Sequence, residues 1–429
     1  MTAASGHASR AAALRLLHVV LGRRVPLDSA IENEASLRAL EPRDRAFARL
    51  LLATVLRRLG QIDAALNACL AKPLPRNAET VRNALRLGAA QILFLGTPAH
   101  AAVGASVALI PGRFGRMKGL ANAVLRRLAR EGAALIAKQD AGRLNTPAWL
   151  WARWSEFFGE DTCRAIAEAH LNEPPLDLTV RADPGAWAKR LGGRVLPTGT
   201  VRLTDAGGIA GLAGFDEGLW WIQDAAAALP VKMLGDIAGR TVVDLCAAPG
   251  GKTAQLIAAG ARTVAVDRSA ARLARLRENL ARLNLAAECI GADATQWTPS
   301  APADAVVLDA PCSATGTIRR HPDIPYGKTV GDIARLAEMQ GRLLDRAAGM
   351  VAPGGLLLYC VCSLEAEEGP RQIERFLAAN GSFRLEPARG IPGGDEFLTP
   401  EGWLRTLPCH WPDWGGLDGF FAALLRRAA

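Results

Sequence analysis

The sequence lacks the features of disulfide-rich proteins, of cysteine-rich zinc proteins and of membrane-spanning proteins. Its 429 residues include eight cysteines but no Cys-x-x-Cys pair, so neither a dense disulfide framework nor a cysteine-rich zinc site is expected. No stretch of about 20 residues is predominantly large and apolar, which argues against a membrane-spanning helix. Internal repeats and low-complexity tracts are also missing. The length, with 50% apolar and 22% charged residues, predicts a globular protein of two to three domains. The scattered cysteines favour a reducing cytoplasm. We also expect a monomer, with no metal and no membrane partner.

Positive charge is concentrated in the first third of the chain. Residues 1–140 contain 21 Lys+Arg against 9 Asp+Glu, whereas the remainder contains 30 against 33. Such an asymmetry favours a polyanionic partner, most simply a nucleic acid. A solvated basic face without a partner is the alternative. The candidate phosphate contacts are Arg10, Arg15, Arg57, Arg58, Arg126 and Arg127.

Hydrophobic periodicity predicts three segments. Residues 1–135 are predicted to form an all-α bundle, because apolar stripes with helical spacing recur in 10–21, 43–59, 77–95 and 117–130. Residues 136–235 are predicted to form a small mixed α/β segment. Residues 236–429 alternate between strand and helix patterns, which predicts a doubly wound, Rossmann-like α/β domain. Its strands are predicted at 241–246, 263–267, 288–291, 304–309, 356–362 and 419–426.

Acidic residues stand at or just after the ends of the first four of these strands: Asp244, Asp267, Asp293 and Asp309. In a doubly wound sheet, ligands bind beyond the carboxyl ends of the strands. Asp267 ends the second strand and suits the two hydroxyls of a ribose, while Asp293 is placed to accept from an adenine amino group. We therefore expect a nucleoside ligand in the crevice at this edge.

The sequence of the loop after the first strand indicates which kind of nucleoside can bind. It reads Cys246-Ala247-Ala248-Pro249-Gly250-Gly251-Lys252, and its glycines let the backbone approach a ligand closely. A Walker A loop requires glycine where Cys246 stands, and the dinucleotide motif G-x-G-x-x-G is missing. A nucleoside without phosphates that carries a cation, such as S-adenosylmethionine, fits best.

Two cysteines follow neighbouring strands. Cys312 comes after Asp309-Ala310-Pro311 and Cys362 ends the fifth strand, so both should lie at the carboxyl edge of the sheet, facing the crevice. A buried cysteine is usually inert packing, and spacing alone leaves that alternative open.

The motifs at these positions resemble a known family. The segments 244–253 (DLCAAPGGKT), 309–316 (DAPCSATG), 319–323 (RRHPD) and 359–368 (YCVCSLEAEE) are similar to those of the RNA 5-methylcytosine methyltransferases of the NOL/NOP/Sun type. Residues 9–132 resemble the NusB-type RNA-binding domain, a pairing typical of the bacterial RsmB (Sun) subgroup. The resemblance implies 16S rRNA as the substrate and S-adenosylmethionine as the cofactor.

The resemblance also implies roles for individual residues. The loop from Cys246 to Lys252, together with Asp267, Asp293 and Asp309, matches the cofactor positions of the family. Cys362 matches the nucleophile, and Cys312 matches the second cysteine, which releases the product. Asp309 is also implied in catalysis, either donating to N3 of the base while protonated or binding its exocyclic amine.

Three residues depart from the family pattern. Val361 stands where the family usually has threonine before the nucleophile, and Cys409 interrupts a Pro-His step common before the last strand. Cys360 is an extra thiol two residues before Cys362. We expect its side chain on the opposite face of the strand, pointing away from the crevice, so that its loss leaves activity largely intact.

Two other classes of function stay open. A non-catalytic RNA-binding or ribosome-assembly factor would explain the basic N-terminal third, but not two cysteines and four acids at strand ends. A methyltransferase acting on a protein, on DNA or on another RNA is the second. DNA cytosine methyltransferases usually place their nucleophile in a Pro-Cys step, which Pro311-Cys312 would satisfy.

Overall fold

The computed structural model describes residues 3–204, 207–387 and 390–429. Two compact units make up the chain: a helical unit of residues 1–172 together with 318–328, and a second unit of residues 173–317 and 329–429. The three predicted segments do not coincide with these units. The helices of segment 136–235 up to Asn172 belong to the helical unit, whereas the strands of that segment belong to the second.

The helical unit is built from amphipathic helices around one apolar core. The four predicted stripes correspond to the first, fourth, sixth and eighth helices, whose core residues Leu17, Leu52, Leu85 and Leu125 are almost fully buried. The helices are α1 (Ala3–Arg23), α2 (Leu27–Asn33), α3 (Ala35–Arg38), α4 (Pro42–Arg57), α5 (Leu59–Cys69), α6 (Glu79–Leu93), α7 (Ala99–Ala108), α8 (Lys118–Ile136), α9 (Ala141–Asn145), α10 (Ala148–Phe158) and α11 (Glu160–Ala169).

Half of the candidate phosphate-binding arginines hold this unit together instead. Arg10 is buried and donates to Oε1 of Gln91 at 2.7 Å. Arg57 donates to the carbonyl of Arg319 at 2.8 Å, and Arg58 to that of Leu171 at 3.0 Å. The side chains of Arg15 and Arg127 are about half exposed, although each pairs with a glutamate, and Arg126 is exposed. These last three keep the predicted role as candidates.

The second unit begins with a small antiparallel sheet. Its strands are β1 (Leu176–Val180), β2 (Arg194–Val195), β3 (Val201–Leu203) and β4 (Trp220–Ile222), in the order β2-β3-β1-β4. The helices α12 (Pro184–Leu191) and α13 (Ala225–Lys232) accompany it. A fully buried ion pair joins Nε of Arg202 to Oδ1 of Asp177 at 2.6 Å. Arg202 also donates to the carbonyl of Gly416, which ties this sheet to the end of the chain.

An eight-stranded sheet forms the centre of the second unit. It contains β5 (Thr241–Leu245), β6 (Arg262–Asp267), β7 (Glu288–Gly291), β8 (Ala303–Asp309), β9 (Val351–Val361), β10 (Phe383–Leu385), β11 (Leu404–Thr406) and β12 (Phe420–Arg427). The order is β10-β12-β9-β8-β5-β6-β7, with β11 paired to β12. Strands β5 to β9 run parallel. The apolar runs of β5, β6, β8 and β9 are largely buried, whereas the edge strand β7 is exposed or half-buried. The predicted Rossmann-like fold is confirmed, while the antiparallel β12 makes the sheet mixed.

Helices lie between several of these strands along the chain. They are α14 (Gly251–Ala258), α15 (Ala270–Arg282), α16 (Ile324–Gly327), α17 (Val330–Ala348) and α18 (Pro370–Ala379), of which α16 lies in the segment that belongs to the helical unit. A reciprocal capping box between Thr329 and Asp332 fixes the start of α17. Within the described residues, no helix combines the length and apolar character needed to cross a bilayer.

Candidate active site

The loop after β5 turns sharply beneath the crevice. Cys246 and Gly250 both have positive φ angles, 60° and 104°, and a Cβ on Gly250 would lie 3.1 Å from Cγ of Leu276. Just before the turn, Asp244 is fully buried and accepts from Oγ1 of Thr253 at 2.6 Å. Burial raises the pKa of Asp244 to about 7, so this carboxyl titrates near neutrality in the folded protein.

Asp267 and Asp293 line one cavity of about 240 Å³. The buried carboxylate of Asp267 accepts from the backbone N–H of Ser269 at 2.9 Å and of Ala248 at 3.2 Å, one on each oxygen. Asp293 accepts from the backbone and hydroxyl of Thr295, and these hydrogen bonds lower the pKa of Asp293. Both acids are therefore held in fixed positions at the carboxyl ends of β6 and β7.

The residues of the predicted cofactor loop line two different cavities, and some of them are buried between these. Cys246 lines the same cavity as the two acids, and burial raises the pKa of its thiol to about 12. Ala247 and Ala248 are buried in an apolar cluster. The backbone from Pro249 to Gly251 lines a second cavity, of about 420 Å³, with Trp221 and Asn279 among its other walls.

Lys252 points to Asp309 rather than to the cavity that contains Asp267. Its Nζ lies 2.9 Å from Oδ2 of Asp309 and 5.0 Å from the ring centre of Phe420. Burial would lower the pKa of Lys252, but the charge of Asp309 and the neighbouring Cys360 and Cys362 raise it above its ordinary value. The ammonium group of Lys252 therefore keeps its positive charge at neutral pH.

Cys312 and Cys362 meet at the ends of the adjacent strands β8 and β9. Their Sγ atoms are 3.5 Å apart. The turn after Cys312 packs closely, because a Cβ on Gly316 would lie 2.0 Å from the carbonyl oxygen of Gly419. The thiol–thiol hydrogen bond with Cys362, together with burial, raises the pKa of Cys312 well above its ordinary value. Cys312 therefore retains its proton at neutral pH.

The predicted orientation of Cys360 is wrong. Cys360 and Cys362 contact the same apolar cluster, whereas Tyr359 and Val361 contact another on the opposite face. Side chains alternate along a strand, so residues two apart share a face. Cys360 is buried, and its Sγ lies 3.6 Å from Oδ1 of Asp309, which brings it into contact with the site.

One buried carboxylate at the site, Glu368, was not predicted from the sequence. It contacts the serines that follow both cysteines, Ser313 and Ser363. Its signal was present in the motif at 359–368, but the spacing assigned it no role. Within the described parts of the chain, no group of three or more His, Cys, Asp or Glu residues could hold a metal ion.

Comparisons with known proteins agree with this geometry. The family model "NusB family" matches residues 7–130, and "16S rRNA methyltransferase RsmB/F" matches residues 231–426. The ribosomal RNA small subunit methyltransferase B of Vibrio cholerae is 36% identical, over 97% of both chains. The chain belongs to this methyltransferase family. The family member from Xanthomonas campestris is 37% identical, over 100% of this chain and 99% of that one.

A solved structure agrees with the assignment. The methyltransferase homologue from Pyrococcus horikoshii superposes with a TM-score of 0.54 and 28% identity, covering 64% of this chain and 93% of that one. The predicted resemblance to Sun-type methyltransferases is confirmed. As a family member, the chain is an rRNA methyltransferase with an RNA substrate, and its cofactor is S-adenosylmethionine.

The cavity beside β6 and β7 fits this cofactor. Each oxygen of Asp267 accepts one backbone hydrogen bond, and Nη1 of Arg272 lies 3.5 Å from Oδ2. A carboxylate oxygen has a second lone pair, which can accept from a ribose hydroxyl. Both contacts of Asp293 with Thr295 involve Oδ1, so Oδ2 can accept from another group. Asp267, Asp293 and Cys246 are thus the residues that would hold the nucleoside.

Proposed function

We propose that this enzyme methylates C5 of a cytosine in 16S rRNA through a covalent bond between Cys362 and C6. The observation that supports this proposal is the pair of thiols, Cys312 and Cys362, 3.5 Å apart at the ends of adjacent parallel strands. The alternatives of a non-catalytic RNA-binding factor or an enzyme for another RNA leave this pair or the family assignment unexplained. The cytoplasmic location and the monomeric state stay predictions.

The first step is attack by the Cys362 thiolate on C6 of the base. Cytosine C5 is a poor nucleophile, and addition at C6 moves electrons onto C5. The attacking form of a cysteine is the thiolate, and the buried ammonium of Lys252, 2.9 Å from Oδ2 of Asp309, supplies positive charge at this end of the sheet. Cys312 keeps its proton, because the hydrogen bond with Cys362 and burial raise the pKa of Cys312.

Asp309 binds the base as an acceptor. The sequence left two roles for this residue, donation to N3 or binding of the exocyclic amine. Its Oδ2 is in an ion pair with Lys252 at 2.9 Å, and an ion-paired carboxylate accepts hydrogen bonds but has none to donate. We therefore assign the exocyclic amine to Asp309.

Product release follows methyl transfer. Bound S-adenosylmethionine would supply the methyl group: C5 bonds to the methyl carbon as the bond from that carbon to the sulfonium sulfur breaks, which leaves S-adenosylhomocysteine. A base then removes H5, the electrons re-form the C5–C6 double bond, and Cys362 leaves as a thiolate. Cys312 is placed to take part in this elimination because its Sγ contacts that of Cys362. The target base must leave its stack to reach both thiols.

Two cysteine variants test the mechanism. Cys312→Ala should still attack and transfer the methyl group, but elimination should stall and leave a protein–RNA adduct that survives denaturing electrophoresis. Cys362→Ala should form no adduct and no product. The reverse pattern, with an adduct in Cys362→Ala alone, would assign the attack to Cys312 and overturn the proposal.

The substrate is tested separately. Bisulfite sequencing of 16S rRNA from cells with and without the gene should show one protected cytosine that disappears on deletion and returns with the wild-type gene. Protection that is unchanged by deletion would reject 16S rRNA as the substrate.

A further inference from the structure

A buried carboxylate joins the two loops that carry the cysteines. Oε1 of Glu368 accepts from the backbone N–H of Ser313 at 2.8 Å, and Oε2 accepts from the hydroxyls of Ser313 and Ser363, the latter at 2.5 Å. Ser313 follows Cys312 and Ser363 follows Cys362. Glu368 is therefore hydrogen-bonded to the residue next to each thiol, and all three hydrogen bonds are made by one rigid carboxylate group.

The carboxylate is itself held in place. Nε2 of Gln340, on α17, donates to Oε1 of Glu368 at 3.0 Å and to the carbonyl of Pro311 at 2.9 Å. The hydroxyl of Tyr359 donates to the main-chain carbonyl of Glu368 at 2.6 Å. Glu368 has no exposed surface. Glu368 is thus held by Gln340 on α17 and by Tyr359 on β9. Through its hydrogen bonds with the serines, it holds both cysteine loops in turn.

Further bonds connect the same two loops directly. The backbone N–H of Leu364 donates to Oγ1 of Thr315 at 3.0 Å, and that of Gly316 donates to the carbonyl of Cys362 at 3.0 Å. These bonds lie around the serines that Glu368 contacts. Within this network, the carboxylate of Glu368 accepts hydrogen bonds from the loop after Cys312 and from the loop after Cys362.

We propose that Glu368 is a positioning residue, which holds the two loops at the separation that brings Cys312 and Cys362 into contact. The proposal rests on the roles given to the two thiols above. A loss of Glu368 should let the loops move apart, because four donors would lose their common acceptor. Both thiols would remain chemically intact, but their Sγ atoms would be in contact for a smaller fraction of the time.

The negative charge of Glu368 has a second effect on the pair. Burial raises the pKa of Glu368, while its hydrogen bonds with the two serines lower it. In its ionised form, its charge also raises the pKa of Cys312, after the hydrogen bond with Cys362, burial and the charge of Cys362. Placement and charge therefore act in the same direction: they keep Cys312 protonated while Cys362 attacks.

The separation of the thiols can be measured without the methylation reaction. Full-length protein is equilibrated with defined ratios of reduced and oxidised glutathione, and the Cys312–Cys362 disulfide is quantified by peptide mass spectrometry, which gives the effective concentration of the two thiols. Glu368→Gln keeps the size of the side chain but replaces one acceptor oxygen by a donor. It should lower the effective concentration at least tenfold. Loosened loops and a lower pKa of Cys312 both favour the reduced pair.

A matched control is the neighbouring residue. Glu367 pairs with Arg371 near the surface of the same turn, so Glu367→Gln makes the same chemical change and should leave the effective concentration within twofold of wild type. If Glu368→Gln does not fold, Ser363→Ala removes one of the bonds to the carboxylate and should lower the value several-fold. An effective concentration that is unchanged in the folded Glu368→Gln or Ser363→Ala variant overturns the positioning role.

Kinetics separate positioning from cofactor binding. Glu368→Gln should lower kcat for methylation about tenfold or more and leave KM for S-adenosylmethionine unchanged, since Glu368 does not line the cofactor cavity. A rise in KM with unchanged kcat would contradict the proposal. The disulfide measurement stays informative even if the proposed function fails, because it does not depend on an RNA substrate.

Discussion

Replacement of Asp267 by alanine should weaken S-adenosylmethionine binding about 100-fold. The carboxylate ends β6 and lines the 240 Å³ cavity together with Asp293. Two ribose hydroxyls that donate to a carboxylate contribute about 1.5 kcal/mol each, at the lower end for charged partners. A loss of about 3 kcal/mol corresponds to roughly 100-fold or more in Kd.

The same substitution should lower the stability of the protein. The backbone N–H groups of Ala248 and Ser269 donate to the carboxylate of Asp267, and each buried donor left without an acceptor costs about 1–3 kcal/mol. For a unit of this size, each kcal/mol lowers Tm by about 2–4 °C. The titration must therefore be done well below the lowered Tm.

Isothermal titration calorimetry measures the affinity, and a second aspartate provides the control. Asp304 also accepts a backbone N–H, that of Thr241 at 2.8 Å, but it lies near the start of β8, at the opposite edge of the sheet. Asp304→Ala should lower Tm without changing Kd. If folded Asp267→Ala binds the cofactor within twofold of wild type, Asp267 is not in the cofactor site and the reasoning from strand ends is refuted.

Three further predictions concern other parts of the molecule. Cys360→Ala should lower single-turnover methyl transfer a few-fold, because its thiol contacts Asp309, and an adduct through Cys362 should still form; full activity would show that the contact is idle. Exchanging Arg126 and Arg127 for alanine should reduce the slope of log affinity for rRNA against log salt by about 0.7–0.9 for each phosphate that is no longer neutralised, and an unchanged slope removes them from the interface. Burial raises the folded pKa of Asp244 to about 7, against about 3.9 when unfolded, so its contribution to stability is present below about pH 4 and lost as pH rises through 7. Urea midpoints at pH 5 and 8 should therefore lie closer together in Asp244→Asn than in wild type.

The sequence predicted the acids and the paired thiols because parallel sheets impose a simple rule. Side chains at the carboxyl ends of neighbouring strands meet at one edge, so Asp267 and Asp293 share a cavity and Cys312 contacts Cys362. The helical pattern of the first third was equally direct, since its apolar stripes form the core.

Other features depended on three-dimensional detail that spacing does not carry. The orientation of Cys360 was misjudged, although strand alternation alone places it on the face of Cys362. Arg10 and Arg58 read as part of a basic surface, but both donate to groups inside the helical unit. Glu368 lies in a turn, where neither the helical nor the strand period assigns a direction to its side chain.

The segment 318–328 limits how the gene can be divided. It follows the Cys312 loop directly and precedes α17, yet it belongs to the helical unit, where Asp323 accepts from the backbone N–H of Leu27 and the hydroxyl of Tyr326 donates to Leu56. The polypeptide therefore passes between the units three times. A fragment starting at Glu173 would carry this segment without Leu27 and Leu56, the partners of Asp323 and Tyr326. The methyltransferase part of the sequence therefore contains a segment that depends on the N-terminal helices, and this dependence constrains any deletion or exchange of those helices.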